Sequence, residues 1–313
     1  MKKRERAAAR TSMRASERRP ERAAYFLMLI TTLFWALGHP VGRIILRSVH
    51  PFQLGAVNLI IGFVGVFCYL LFAGQMKKLS SISGRDTLFS LLLGVFGFFF
   101  YQILTFSALS RIPASMNAIL VSTNVIFIAL LSALFLKERI SGMRVFGILL
   151  ALIGVVLITF NRGFSFTSGV DILGCSFSLL AAISFAIYSV FGKKVLARND
   201  PLGVSTLALL SGAVLLTILS ATRTGFEKLI TAGGGTWALM VMLSVTMIGI
   251  AYPLWFSCLK RMQASHVSIY IYMTPVFAVL LSLLILGERF TWLFWVGGAC
   301  VLGGIVISTI YRR

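Results

Sequence analysis

Ten long stretches without a charged residue dominate this sequence. Each is at least 17 residues long, and together they cover 23–42, 48–76, 87–110, 112–136, 145–161, 172–192, 201–222, 229–259, 262–287 and 290–311. About 20 apolar residues in a helix cross the hydrocarbon core of a bilayer. The composition, 58% hydrophobic and 12% charged, is also far from the roughly 25% charged residues of a soluble domain. The sequence therefore predicts an all-α integral membrane protein with ten transmembrane helices.

Positive charge is distributed unequally between the two sides of these predicted helices. If the N-terminus is cytoplasmic, 22 of the 29 Lys and Arg residues lie on the cytoplasmic side. Cytoplasmic segments of membrane proteins carry an excess of Lys and Arg, so we predict a multi-pass protein of the bacterial inner (plasma) membrane with both termini cytoplasmic. The basic tail, residues 1–24, is expected to contact anionic headgroups. Membrane lipids are therefore predicted as partners, and nucleic acid is not.

The chain repeats itself at a fixed offset of 150 residues. Between 109–156 and 259–306, 17 of 48 positions are identical without a gap. Such self-similarity indicates an internal duplication, with one five-helix repeat over 25–161 and a second over 170–311. An odd number of helices per repeat forces the second copy to enter the membrane from the opposite side. We therefore predict a five-plus-five inverted repeat that forms one membrane domain.

A Glu-Arg pair occupies the same place in each repeat, at Glu138-Arg139 and at Glu288-Arg289. Each pair lies between the fourth and fifth predicted helix of its repeat. Ionisable residues at the ends of membrane helices are cheap to keep. We interpret both pairs as structural turn elements rather than substrate ligands.

Each half ends in a pattern in which Ala-Ser, Leu, Glu-Arg, Gly and Gly follow in order. With this pattern, the ten spans and the inverted repeat, the sequence resembles the drug/metabolite transporter superfamily, in particular its EamA-type exporters. The likeness covers nearly the whole chain after about Tyr25. It implies a secondary transporter that exports small metabolites by alternating access around a central cavity, with amino acids or their derivatives as the leading substrates. Pro275 has Val125 as its counterpart, whereas the family pattern often has proline in both halves. Any hinge that the resemblance implies is therefore expected in the second half.

The first predicted helix is the best candidate to line such a cavity. Trp35, His39 and Arg43 are spaced four residues apart and share one helix face, and Pro40 interrupts the backbone hydrogen bonds there, which is tolerated beside protein or a cavity. We predict substrate contacts from all three, with His39 also sensitive to protons. Lys193 is the repeat counterpart of Arg43, and both cations are hypothesised to guide a carboxylate. Packing by His39 and headgroup contact by the cations are the alternatives.

Other polar and aromatic residues complete the candidate substrate site. Asn117 and Asn124 are seven residues apart and share a face, and Thr274 is the repeat counterpart of Asn124. Aromatic side chains with a few amides suit small amphipathic solutes, although each aromatic residue alone can equally serve packing. The remaining candidates are Tyr101, Gln102, Tyr188, Tyr252, Trp255 and Tyr270.

Several classes of function find no support in the sequence. No stretch matches the phosphate-binding pattern GxxxxGK[ST], so no ATP-driven pump is expected. All nine acidic residues lie outside or at the edges of the uncharged stretches, which disfavours proton-for-cation exchange through a buried carboxylate. The histidines and cysteines show no catalytic or metal-ligand pattern. We predict no enzyme, no cofactor and no metal.

Two alternatives to metabolite export remain open. A nucleotide-sugar or sugar-phosphate exchanger should require more cations deep in its cavity than this sequence provides. A passive small-solute channel can use the same residue types as a transporter. In each case the partner is a small-molecule substrate, and two fused inverted halves predict a monomer because they remove the need to dimerise.

Overall fold

A computed structural model of the chain describes residues 2–112, 114–160, 171–286 and 292–310. These residues form helices and connecting turns, with no β-strand among them. The Glu288-Arg289 turn of the sequence prediction lies outside the described residues. In chain order the main helices are α1 (Lys2–Ile45), α2 (Pro51–Phe72), α3 (Gly84–Arg111), α4 (114–136), α5 (Gly142–Phe160), α6 (Ile172–Leu196), α7 (Pro201–Arg223), α8 (Gly234–Arg261), α9 (264–286) and α10 (Trp292–Ile310).

Six helices of the described residues are long and apolar enough to cross a membrane. They are the Ala24–Ile45 part of α1, and α2, α3, α6, α7 and α8. Shorter apolar helices occupy Leu120–Leu136, Gly142–Leu157 and Trp295–Ser308. The predicted all-α class is therefore confirmed for the part of the chain that the structure describes.

Corresponding helices of the two repeats begin with the same local chemistry. Both α2 and α7 begin with a proline. A backbone N–H at this position would have no carbonyl partner within the helix, so its absence in proline costs no hydrogen bond. The residue before each proline caps the helix: His50 Nδ1 accepts from the N–H of Phe52 at 3.2 Å, and Asp200 Oδ1 accepts from that of Leu202 at 2.9 Å. Side-chain capping of this kind satisfies backbone donors at a helix start.

Several helices depart from regular α geometry near their centres. α3 is π-helical over Val95–Phe100, and α8 is π-helical over Ser244–Ala251. α4 is interrupted at Thr123, and α9 contains a 3₁₀ segment at Ser268–Tyr272. Such segments are frequent at functional sites. Three of the four interruptions lie near mid-helix, whereas the 3₁₀ segment of α9 begins four residues after the helix start.

Hydrogen bonds between helix ends divide the bundle into two faces. On one face Asn199, after α6, donates to the carboxylate of Asp86 near the start of α3 at 2.8 Å. On the other, Gln53 at the start of α2 donates to the carbonyl of Gly225 after α7 at 2.9 Å. We call the first the basic face, with loops 73–83, 137–141, 197–200 and 262–263, and the second the opposite face, with loops 46–50 and 224–233.

Candidate functional site

A central cavity lies between helices of both repeats. Its empty volume is about 630 Å³, open solvent at the mouth included. Trp35 and Tyr252 line it near the middle of the bundle, and Leu109 lines it close to the end of α3 at the opposite face. The cavity therefore extends from the bundle centre toward the opposite face. Its lining residues are Trp35, Gly38, His39, Tyr101, Gln102, Thr105, Phe106, Leu109, Ala118, Val121, Ser122, Asn124, Phe185, Met247, Tyr252, Ile271 and Thr274.

An aromatic cluster forms the deep end of the cavity. The ring centroid of Trp35 lies 5.6 Å from Phe185, 5.4 Å from Tyr252 and 5.6 Å from Trp255. Edge-to-face and tilted arrangements at these distances are favourable. The cluster joins α1 of the first repeat to α6 and α8 of the second, so it gives a solute a rigid apolar surface.

Four buried polar atoms on the lining residues have no hydrogen-bond partner in the part of the chain that the structure describes. They are Trp35 Nε1, Gln102 Nε2, Asn124 Oδ1 and Thr274 Oγ1. Leaving a buried polar group unpaired costs roughly 1–3 kcal/mol, and most such groups in native proteins have a protein or water partner. Two donors, one acceptor and one hydroxyl are therefore available to a ligand or to water.

The cavity carries little fixed charge. Among the described lining residues there is no Asp, Glu, Lys or Arg. The lining also contains the imidazole of His39, a group whose unperturbed form changes charge near neutral pH. The site is polar and aromatic, which suits a solute without net charge.

The π-helical segments directly precede several lining residues. Tyr101 and Gln102 follow Val95–Phe100 directly, and Tyr252 follows Ser244–Ala251. A Cβ on Gly97 would lie 2.1 Å from the ring of Tyr188, so only glycine permits α3 to approach α6 this closely. Gln102 lines the cavity two residues after the π-helical segment of α3.

At the basic face, hydrogen bonds between the two repeats close the bundle. The Glu138 carboxylate accepts from the backbone N–H groups of Ala264 (2.8 Å) and Ser265 (3.1 Å) and from the Ser265 hydroxyl (2.7 Å). The buried Arg144 guanidinium donates to Gln263 Oε1 at 2.8 Å and to Ser265 Oγ at 3.0 Å. Hydrogen bonds to ionised groups are the stronger kind. We call these five residues the basic-face seal.

Two repeat-related cations bind carbonyl groups at helix ends. Lys193 Nζ donates to the carbonyl of Leu259 at 2.9 Å and to that of Met262. At the opposite face Arg43 Nη1 donates to the carbonyl of Ile112 at 3.4 Å. Cationic side chains commonly satisfy the last carbonyls of helices in this way. Guidance of a substrate carboxylate by these cations stays a prediction.

The structure brings seven of the twelve predicted site residues to the cavity and places five elsewhere. Asn117 accepts from the Ser178 hydroxyl at 2.8 Å, and Tyr270 stacks on Tyr25 at 5.6 Å. Contacts of these five with substrate stay predictions. The lining includes Trp35, His39, Tyr101, Gln102, Asn124, Tyr252 and Thr274, and it does not include Arg43, Asn117, Tyr188, Trp255 or Tyr270.

Some lining residues were missed by the sequence prediction. Thr105 lies four residues after Tyr101, so its place on the same helix face could have indicated it. Phe185 is the repeat counterpart of Trp35, which was a second available signal. Met247 had no signal, because its role depends on Gly38, where a Cβ would lie 2.5 Å from the Met247 sulfur.

A bundle of apolar helices around an uncharged polar cavity that extends toward one face has the architecture of a small-solute transporter. Comparison with known families agrees with that class. The chain belongs to the EamA-like transporter family, whose model matches it twice, over residues 22–160 and 172–310. The resemblance inferred from the sequence is thus confirmed, and the chain is a multi-pass membrane transporter.

Individual relatives are similar over most of their length. The uncharacterized transporter YdfC of Bacillus subtilis (strain 168) is 30% identical, over 88% of this chain and 87% of that protein. A probable amino-acid metabolite efflux pump of Escherichia coli (strain K12) is 25% identical, over 92% of this chain and 95% of that protein. A solved crystal structure matches 93% of this chain and 98% of its own with a TM-score of 0.79 at 23% identity, which shows a shared fold.

Proposed function

We propose that this transporter exports amino acids or their derivatives from the bacterial cytoplasm by alternating access. The observation that carries the proposal is the central cavity, which offers unpartnered polar atoms beside an aromatic cluster and extends toward one face only. The similar efflux pump from Escherichia coli supports the same substrate class.

The proposed architecture is ten spans in a five-plus-five inverted repeat. The helix ends alternate between the basic and the opposite face, and the basic-face seal joins one repeat to the other. Inverted repeats allow two conformations in which one central site opens to alternate sides. In the proposed orientation the basic face is cytoplasmic, so the cavity extends toward the exterior and the seal closes the cytoplasmic side.

The lining chemistry supports a zwitterionic solute over a phosphorylated one. A carboxylate needs donors, which Trp35 Nε1 and Gln102 Nε2 offer, and an ammonium group needs an acceptor, which Asn124 Oδ1 offers. A sugar phosphate or nucleotide sugar calls for Arg or Lys near the phosphate, and the described lining has neither. An amino acid has both a carboxylate and an ammonium group, so it can pair with the donors and with the acceptor while it carries no net charge.

The test is efflux from proteoliposomes loaded with labelled amino acids, purines, sugars or sugar phosphates. We expect saturable efflux of one amino-acid class, accelerated by the same solute outside, and a large loss of rate in Trp35→Ala and in Gln102→Leu. The matched control is Trp292→Ala, because Trp292 is 70% exposed on α10 and is not among the described lining residues. Thermal unfolding of each variant separates loss of function from loss of fold.

Two results would contradict the proposal. Efflux of sugar phosphates but not amino acids would move the substrate to the exchanger class. Non-saturating leakage that an external solute does not accelerate would indicate a channel, because only a carrier shows counterflow.

A further inference from the structure

A second cavity opens at the basic face, apart from the substrate site. It lies between the start of α3 and the end of α6, and its empty volume is about 1000 Å³, open solvent included. Three cationic residues line it, Arg85, Lys194 and Arg198, together with apolar residues that include Phe89 and Phe191. None of these residues lines the substrate cavity.

The three cations have no carboxylate partner in the part of the chain that the structure describes. The two ion pairs found there involve none of them. The acidic residue of the lining, Asp86, accepts a hydrogen bond from Asn199 at 2.8 Å. The cavity therefore has an excess of positive charge that the protein itself does not neutralise.

The position of Arg85 adds to this excess. It lies in the first turn of α3, directly after the capping residue Ser83 and Gly84. A helix N-terminus carries partial positive charge and favours anions rather than cations. An anion in the cavity would interact favourably with the helix start and with all three side chains.

Aromatic side chains lie next to the cations of this cavity. Lys194 Nζ lies 5.2 Å from the ring centroid of Phe191 and 5.6 Å from that of Phe135, and Arg85 Cζ lies 5.7 Å from that of Phe89. Phe89 is 45% and Phe135 is 47% exposed. A ligand that pairs a negative headgroup with a hydrocarbon chain would cover both kinds of surface.

The repeat provides an internal comparison for this cavity. At the offset of 150 residues, Gly235, Ile44 and Ser48 are the counterparts of Arg85, Lys194 and Arg198. The fold therefore tolerates uncharged residues at these places. The three cations therefore belong to one face of the bundle and are not a feature of both repeats.

We propose that this cavity binds an anionic phospholipid, whose phosphodiester group contacts Arg85, Lys194 and Arg198 while an acyl chain lies along Phe89 and Phe135. Basic pockets between membrane helices on the cytoplasmic side recognise anionic headgroups in this way. Free phosphate would satisfy the cations but leave the phenylalanine rings uncovered. The site is independent of the transported substrate.

The test titrates the purified full-length protein in detergent with phosphatidylglycerol, phosphatidylcholine or glycerol phosphate and follows the thermal unfolding midpoint. A ligand that binds only the folded state raises this midpoint. We expect phosphatidylglycerol alone to raise it, and the triple variant Arg85→Gln/Lys194→Gln/Arg198→Gln to need at least tenfold more lipid for the same shift. The matched control, Lys77→Gln/Lys137→Gln/Arg261→Gln, removes three exposed cations of the same face and should respond as the unmodified protein does.

Three outcomes would overturn the proposal. An equal lipid response in the triple variant would place lipid binding elsewhere. If both triple variants lost the lipid response equally, the response would depend on the net charge of the protein and not on this cavity. A full shift with glycerol phosphate alone would assign the cavity to a soluble phosphate instead of a lipid.

Discussion

At the scale of single residues, the central cavity holds polar atoms that contribute little to stability. Thr274 is buried, and its hydroxyl has no partner among the residues that the structure describes. Thr206 is equally buried on α7, but its hydroxyl donates to the carbonyl of Leu202 at 2.7 Å. Residues whose local chemistry conflicts with packing are the ones expected at functional sites, and this contrast allows a direct comparison.

The substitution Thr274→Val should separate function from stability. Valine has the shape of threonine without the hydroxyl, so we expect the free energy of unfolding to stay within about 1 kcal/mol or to rise, while KM for efflux rises several-fold. Chemical unfolding and proteoliposome transport measure the two effects. Thr206→Val should show the reverse pattern, a loss of about 1 kcal/mol with unchanged KM. If KM were the same in both variants, Thr274 would not belong to the substrate site.

At the scale of helices, regular features were predictable and irregular ones were not. Uncharged stretches and the 150-residue offset indicated the helices, because apolar length and sequence identity are visible directly. The π-helical segments Val95–Phe100 and Ser244–Ala251 carry no such pattern, since they arise from packing against other helices. The partner of Glu138 could not be predicted either, because Ser265 is 127 residues away in the chain.

The π-helical segment of α3 depends on the absence of a side chain at Gly97. We expect Gly97→Ala to destabilise the protein by about 1–3 kcal/mol, because the new Cβ would overlap the ring of Tyr188. Gly65→Ala is the control, since nothing lies within 4 Å of its Cβ position on α2, and it should stabilise by about 0.5–1 kcal/mol. Unfolding midpoints in one detergent compare the two. If both changes stabilise the protein, the close approach of α3 and α6 is not required.

The cap of α2 should make stability depend on pH. Burial, with a smaller contribution from Lys228, lowers the pKa of His50 below its usual value of 6.5. The unfolded chain therefore takes up the proton first, so stability is full above about pH 6.5 and falls as the pH decreases toward the folded pKa. Protonation also removes the acceptor for the N–H of Phe52, a cap of about 1 kcal/mol.

Thermal unfolding at pH 7.5 and pH 5.0 checks this expectation. His50→Asn keeps a capping oxygen and does not titrate, so the difference between the two pH values should be smaller in this variant than in the unmodified protein. An identical difference in both proteins would show that other groups cause the pH dependence.

At the scale of the whole molecule, the basic-face seal connects the two repeats behind the cavity. Glu138→Gln should weaken it, because an amide has a single acceptor oxygen and no charge to hold three donors. We expect a Ser268→Cys probe, buried behind the seal, to react several-fold faster with a water-soluble thiol reagent from the basic face. The measurement uses a background without the four native cysteines.

Glu227→Gln is the matched control, since Glu227 is exposed at the opposite face. Equal probe reactivity in the two variants would show that the seal does not limit access.

Arg144 gives the seal a property that the sequence repeat does not copy, because its counterpart is Phe294. In the proposed alternating-access cycle the basic face alone is closed by a guanidinium network, and the empty protein should dwell with its site turned away from that face. In that proposed cycle, each turnover must break this guanidinium network before the next solute can load. Reloading becomes the slow step of the cycle, and one-for-one exchange should outpace net release.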